Sequence, residues 1–421
     1  MEIRPFSGLR YAVGDGDVGA FIAPPYDVLS QADKNALLAR EARNIVGADL
    51  PHCPPADVGP DSAYAAAAAT LNRWRADGVM ARDEKPCLYA YQQSYAWAGK
   101  TYRRRTLIAA VKLEALGEGV WPHERTFPGA LADRMKLNLA TGMQLSPVFG
   151  FYEDGEGVAE AVFAAAGAPD AAGVLDGVDS CLWAVSDADA ITAARDALAG
   201  RDLFIADGHH RYTTALAYRD RLGPLRPDHP ANFVMFVLAA MSDPGLIVLP
   251  AHRVLSGLRD FDLDRFAASA HHVMEFTRVR LGVDDIADAD GFLRRHGEHA
   301  MAFAAGQDAY VGRLRDPAVM DRVAGDRPEA WRRLDVAILH RLLIDDYLAD
   351  NKTNKMFIEY KADGRAALSA VKSEQADLAV FLQATPLDAV RDIALAGHVM
   401  PHKSTYFYPK PATGMVLYPL A

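Results

Sequence analysis

The run Phe204-Ile205-Ala206-Asp207-Gly208-His209-His210-Arg211-Tyr212 constrains this chain more than any other stretch. A short apolar run, the pattern of a buried strand, stops at Gly208, and a helix pattern follows at once. Such a joint leaves the first N–H groups of the helix open at the positive end of its dipole. Gly208 lets backbone approach a bound group closely, and Arg211 offers a planar fork for phosphate oxygens. The joint reads as an anion site, with Asp207 capping the helix or holding Mg2+. The plain alternative is a strand-to-helix turn with an aspartate cap. Four polar, donor-rich residues beside an apolar strand favour the site. It is not the phosphate loop of common ATPases, because the glycine-rich spacing and the Lys-Ser/Thr ending are missing.

Three other clusters carry chemistry. In His123-Glu124-Arg125-Thr126 a glutamate sits between a histidine and an arginine, so Glu124 suits a general base or a metal contact. Arg134 and Lys136 follow at a distance that adds phosphate contacts. The alternative is a solvated charged loop; the zincin pattern is absent, since no second histidine follows one turn later. The tail Pro401-His402-Lys403-Ser404-Thr405-Tyr406-Phe407-Tyr408-Pro409-Lys410 combines cations, hydroxyls and aromatics. Lys403 is a point charge for phosphate, and Ser404 and Thr405 are donors. Its aromatics suit a half-buried strand. Pro24-Pro25-Tyr26-Asp27 is a stiff extended segment, in which Asp27 orients a substrate amine or metal and Tyr26 packs or touches substrate. Arg253, after the apolar stretch 246–250, reaches toward the same cleft. On the run Arg103-Arg104-Arg105, alternation sets Arg104 opposite its neighbours, and the run reads as a solvated edge.

At 421 residues the chain exceeds one ordinary core, so two domains are expected, 1–153 and 154–421. Strands and helices interleave. Helices are expected at 31–48, 61–77, 131–143, 157–167, 191–199, 211–222, 334–348 and near 387–395. A hairpin spans 88–113. A second is expected across Asp243-Pro244-Gly245, a turn at 154–157, and a strand pair around Tyr406 and Val416. This is an α+β pattern with mixed or antiparallel sheets. The net charge of −10 argues against a bulk grip on nucleic acid. The scattered Cys53, Cys87 and Cys181 match no zinc or disulfide framework. No apolar run reaches membrane-span length and the start has no signal-peptide core, so a reducing cytoplasm is expected.

Taken in order, Arg4-Pro5-Phe6 with Leu9-Arg10-Tyr11, Pro24-Pro25-Tyr26-Asp27-Val28, His123–Thr126, Ala206–Arg211 and Pro401–Lys410 resemble the bacterial and archaeal family called domain of unknown function 1015. The Asp207-Gly208-His209-His210-Arg211 segment also resembles the Gly-x-x-Arg box of the ParB/sulfiredoxin superfamily. In those proteins the box lies at a helix start and contacts nucleotide phosphates. Kinases acting on free serine carry a closely similar segment. The chain departs from ParB in having no helix-turn-helix pattern, and from sulfiredoxin in having His209 after Gly208.

The resemblance implies a ParB/sulfiredoxin-like core that binds ATP, ADP or CTP with Mg2+ and acts on a small hydroxyl metabolite such as free serine. Gly208, His209, His210, Arg211, Arg134, Lys403, Ser404 and Thr405 would then contact phosphates. Glu124, His123, Asp207, His209 and His210 would carry catalysis, Asp207 would hold the metal, and Tyr26, Asp27 and Arg253 would face the substrate. Two other readings share this cradle: a phosphoester hydrolase, and a ParB-like nucleotide switch that turns over no small molecule. Partners reduce to a small phosphorylated ligand and, at most, a second copy in a homodimer.

Overall fold

In the computed structural model, residues 88–113 form the expected hairpin, Leu88–Trp97 against Lys100–Lys112. Ala98 and Gly99 both have positive φ there, as a two-residue turn between right-twisted strands requires. The structure describes every residue except Asp15, Ala56, Gly155, Glu156 and Ala421. Gly155 and Glu156 of the expected turn therefore lie outside the described residues. The chain divides into two units, Met1–Ile247 with Pro409–Ala421, and Val248–Tyr408. Strand pairing carries the first unit's sheet across 153–154, where the sequence suggested a break.

The hairpin lies in the middle of a nine-stranded sheet. On one side, Val178–Val185 and then Ala171–Leu175 continue it antiparallel. On the other, Phe233–Ala240 pairs antiparallel with Lys100–Lys112 and parallel with Val148–Tyr152. Both edges of Phe233–Ala240 are thus taken, and the hairpin expected across Asp243-Pro244-Gly245 does not form. Leu203–Asp207 follows, antiparallel to Val148–Tyr152 and parallel to Val120–Trp121. The sheet is mixed.

One face of this sheet carries Leu107, Ala109, Leu203, Ile205 and Phe236. It packs on Val158 and Val162 of the helix Val158–Ala164 and on Ala194 and Leu198 of the helix Ala188–Leu198. On the other face the expectation for Arg104 fails. Its strand is central rather than an edge, and Arg104 is 1% exposed. Its guanidinium lies over the Phe149 ring at 4.6 Å and donates to the carbonyl of Pro409 at 2.6 Å. The segment after Pro409 covers this face, where the Ala412 N–H donates to Tyr91.

Side-chain caps set several helix starts. Ser30 and Asp33 make a reciprocal cap for Gln31–Arg40. That helix ends earlier than the expected 48, and a separate turn spans Val46–Asp49.

The second unit is built on a six-stranded antiparallel sheet. Its order is Met274–Arg278, Asp308–Leu314, Ala300–Ala305, Leu378–Phe381, His252–Ser256 and Phe357–Lys361. The helix Gly364–Lys372 buries Ala367, Leu368 and Val371 against it. The helix expected at 334–348 exists, but Leu339–Tyr347 is wound as a π-helix, a rare form that recurs at functional sites. Tyr406–Tyr408 and the chain near Val416 do not pair with each other. The first belongs to this unit, and Tyr418–Pro419 pairs with Met143–Gln144 of the other. Among the described residues, no helix is long and apolar enough to cross a membrane.

Candidate functional site

Topology explains why two of the sequence motifs meet. Val120–Trp121 and Leu203–Asp207 are parallel neighbours, with Leu203 opposite Val120 and Phe204 opposite Trp121. Parallel strands end on the same side, so the loop 122–127 and the turn at Gly208 leave the sheet together. The register of Leu203–Asp207 shifts between Ile205 and Asp207. Such an irregularity re-aims a side chain, and here it falls just before Asp207, which pairs with Phe149 at the end of the strand.

The helix His209–Leu222 begins directly after Gly208, whose φ is 91°. A Cβ at Gly208 would stand 2.9 Å from Cζ and Nε of Arg211. Glycine is required twice here, for its backbone angle and for the guanidinium lying against it. Packing holds the helix. Tyr212 is fully buried, meets Phe236 edge-on at 5.9 Å, and donates to the carbonyl of Glu114 at 2.7 Å. Burying such a ring contributes about 2 kcal/mol, against about 1 kcal/mol for the hydrogen bond.

Asp207 holds two cations. One carboxylate oxygen accepts from Arg211 and the other from Lys410. Arg211 also donates to the carbonyl of Pro147. Burial alone would lower the pKa of Arg211, but Asp207, Asp27, Tyr26 and Asp49 outweigh it and raise the value. Its Nε, and the hydroxyls of Thr213 and Thr214 on the next turn, are buried without a hydrogen-bond partner. Lys410 belongs to the tail motif, yet sequence reasoning put the weight on Lys403. The signal for Lys410 was its place after Pro409, where the chain re-enters the first unit.

The two histidines after Gly208 face the loop. Nε2 of His209 accepts the His123 backbone N–H at 3.2 Å, and the two rings meet edge-on at 4.6 Å. Nε2 of His210 accepts the Phe127 N–H at 2.9 Å, with the rings stacked at 5.9 Å. Glu124 is held between these two attachment points, half-buried, and its charge reaches both His123 and His209.

Burial lowers the pKa of His123. Burial, then the nearby His123, pushes His209 down from 6.5 to about 3. The sign follows: the folded protein keeps His209 neutral, while the unfolded chain takes up a proton below 6.5. Stability from this residue is complete above that pH and falls as pH drops toward 3, by about 1.4 kcal/mol per pH unit. His209→Gln is expected to remove that share. Denaturant unfolding of parent and variant at pH 7 and pH 5 should show a parent loss larger by about 2 kcal/mol. Equal losses would remove His209 from the acid response.

Tyr26 and Arg134 meet beneath this joint. Tyr26 starts a short 3-10 turn after Pro25 and is 2% exposed. The Arg134 guanidinium lies 3.7 Å from the centre of its ring. Arg134 also donates to the Asp49 carbonyl at 2.7 Å and pairs with Asp133 at 2.6 Å and Asp49 at 3.3 Å. Its Nε and Nη1 thus serve the protein's own oxygens, while Nη2 lies beside Asp133 without a hydrogen bond. Tyr26, Asp49, Arg134, Ser146, Arg211 and Thr214 line a cavity of about 20 Å3, room for about one water. Asp27 is exposed beside it and acts on Arg211 through its charge. The first unit therefore gathers Tyr26, Asp27, His123, Glu124, Arg134 and the 207–211 segment, with Lys410 added.

Arg253, Lys403, Ser404 and Thr405 lie in the second unit. Lys403 is exposed at φ 53°, Thr405 is half-buried, and the Ser404 hydroxyl donates to the Pro401 carbonyl. Arg253 is fully buried. Among the described residues, no three His, Cys, Asp or Glu side chains gather as a metal cage.

No curated protein matches the chain. Among solved structures, a free serine kinase in complex with AMP is 13% identical over 72% of this chain and 86% of its own, with a TM-score of 0.35. A conserved hypothetical protein from Pyrococcus furiosus is 14% identical over 72% and 90%, at 0.34. SbnI with a C-terminal truncation, from Staphylococcus aureus, is 11% identical over 74% and 87%, at 0.36. The model of the family described as protein of unknown function DUF1015 matches residues 3–337, most of the chain, which therefore belongs to that family.

Proposed function

We propose that the first unit binds the phosphates of an adenine nucleotide at the start of the helix His209–Leu222 and transfers a phosphoryl group to a small hydroxyl metabolite. Free serine is the first candidate, because the 207–211 segment resembles that of free serine kinases. One observation carries the reading. A helix start with a buried arginine whose Nε is unpartnered lies at the same joint as a loop-borne glutamate, and the unpartnered Thr214 hydroxyl lines a cavity with that arginine. Phosphoryl transfer needs positioning and charge neutralisation more than covalent help, and this joint offers both.

The acceptor hydroxyl oxygen forms the new bond to the γ-phosphorus as the bond to the β-phosphate oxygen breaks. ADP leaves, and Glu124 takes the hydroxyl proton. Arg211 and the first N–H groups of the helix stabilise charge on the transferring group. Lys410 adds a second cation. His209 and His210 hold the loop that carries Glu124. Both oxygens of Asp207 already serve Arg211 and Lys410, which does not make a resident metal cage. A Mg2+ arriving on the nucleotide would gain Asp207 as a carboxylate contact by displacing Arg211 or Lys410 from one of its oxygens. Bound there, Mg2+ would neutralise charge on the phosphates.

Thermal melts with ADP, ATP, CTP, serine and phosphoserine, with and without Mg2+, test the reading. An adenine nucleotide at a hundredfold excess over Kd should stabilise the fold by about 2.7 kcal/mol. ATP with serine should then yield ADP and phosphoserine. Release of phosphate without acceptor would make the protein a hydrolase, and binding without turnover would make it a switch. No shift with any nucleotide or phosphorylated compound would end the phosphate-site reading.

A further inference from the structure

Arg253 lies within the strand His252–Ser256, opposite Tyr360 on one side and Val380 on the other, and has no solvent exposure. All its hydrogen bonds go to neutral acceptors. Nε donates to Nε2 of His340 at 3.2 Å, one terminal nitrogen donates to the carbonyl of Ala251, and the other to the carbonyl of His402 at 3.1 Å. The Tyr360 ring lies 5.0 Å from the guanidinium carbon. Among the described residues, no carboxylate stands within 4.0 Å of it. Burial outweighs Tyr360 and pulls its pKa down to about 10.

A charge in such surroundings is costly unless an anion joins it. Two backbone carbonyls could be satisfied by an uncharged donor, so they do not account for a cation here. The neighbours point the same way. His340 is half-buried and sits in the first turn of the π-wound stretch Leu339–Tyr347. His402 is exposed and meets Tyr360 edge-on at 5.4 Å. Asp345 and Lys352, paired at 2.8 Å, both reach His340, the carboxylate more strongly than the ammonium.

We propose that Arg253, His340 and His402 form an anion subsite of the second unit that takes a phosphate group, as carried by a small phosphorylated metabolite. A carboxylate needs only the arginine fork. The further imidazoles of His340 and His402 suit the extra oxygens of phosphate. Rotation of the His340 ring off the Nε–H frees one edge of the guanidinium, and the ring then turns a nitrogen to the anion. The subsite does not depend on the nucleotide reading of the first unit.

Inorganic phosphate and the full chain provide the test. Imidazole resonances of His340 and His402, assigned with His340→Gln and His402→Gln, are followed by two-dimensional NMR during titration. Both should shift saturably, and equally so in an Arg211→Lys protein. Arg253→Lys, which keeps the charge without the fork, should weaken the response about tenfold. Should Arg253 variants fail to fold, His340→Gln should weaken the His402 response. Absence of any phosphate-induced shift in the parent overturns the subsite. So do an equal shift with chloride at matched ionic strength and an undiminished His402 response in His340→Gln.

Discussion

Glu124→Gln is expected to lower phosphoryl transfer by about 10²- to 10⁴-fold while leaving nucleotide affinity unchanged. The amide matches the carboxylate in shape and cannot take the acceptor proton. The backbone N–H groups of His123 and Phe127, donated to His209 and His210, would still tie the loop to the helix. The measurement is a steady-state rate with ATP and acceptor, beside a nucleotide Kd from calorimetry. A fall in both together would mean that Glu124 shapes the site rather than moves the proton. Transfer at the parental rate would remove it from the chemistry.

Arg211→Ala is expected to cost the first unit about 3–5 kcal/mol, because it strips one partner from a buried ion pair. The remaining groups explain the size. Asp207 would lose one of the two cations that pair with it, and the carbonyl of Pro147 would lose the donor Arg211 supplies. A shift of that size lowers the melting temperature by about 10 °C for a unit this large. Arg211→Lys restores charge but cannot span Asp207 and Pro147 as the fork does, so its melting point should fall between the two. Nucleotide binding, measured below the melting point, should weaken by about 1.5–3 kcal/mol in the alanine variant. An unchanged melt and an unchanged Kd would make Arg211 a bystander in both respects.

The hairpin at 88–113 was legible because side-chain alternation is a local property, and so was the strand–glycine–helix joint at 204–212. What lay beyond local reading depended on distant chain. Alternation correctly set Arg104 opposite Arg103 and Arg105, but it could not say that both edges of that strand are paired. Nor could it say that residues after Pro409 cover the Arg104 face. The turn at Asp243-Pro244-Gly245 has hairpin chemistry, yet the strand before it is claimed on both sides by Lys100–Lys112 and Val148–Tyr152. Clustering of Tyr26, Glu124, Arg134 and Arg211 follows from parallel strand ends and helix packing, which one-dimensional spacing does not encode. The contacts of His209 and His210 with the 122–127 loop belong to the same class. The π winding of Leu339–Tyr347 leaves an apolar stripe that an ordinary helix also shows.

The first unit is interrupted in sequence by the whole of Val248–Tyr408 and resumes only at Pro409. A ribosome delivers residues in order, and domains gather as their residues emerge. Asp207 is therefore made 203 residues before the Lys410 that completes its charge balance. Any product that stops short of Pro409 carries the helix start and the loop but lacks the Pro409 carbonyl that accepts from Arg104 and the Lys410 ammonium that pairs with Asp207. Translation order thus leaves the candidate site unfinished until the chain past Pro409 is made, and a chain terminated before that point would be defective there.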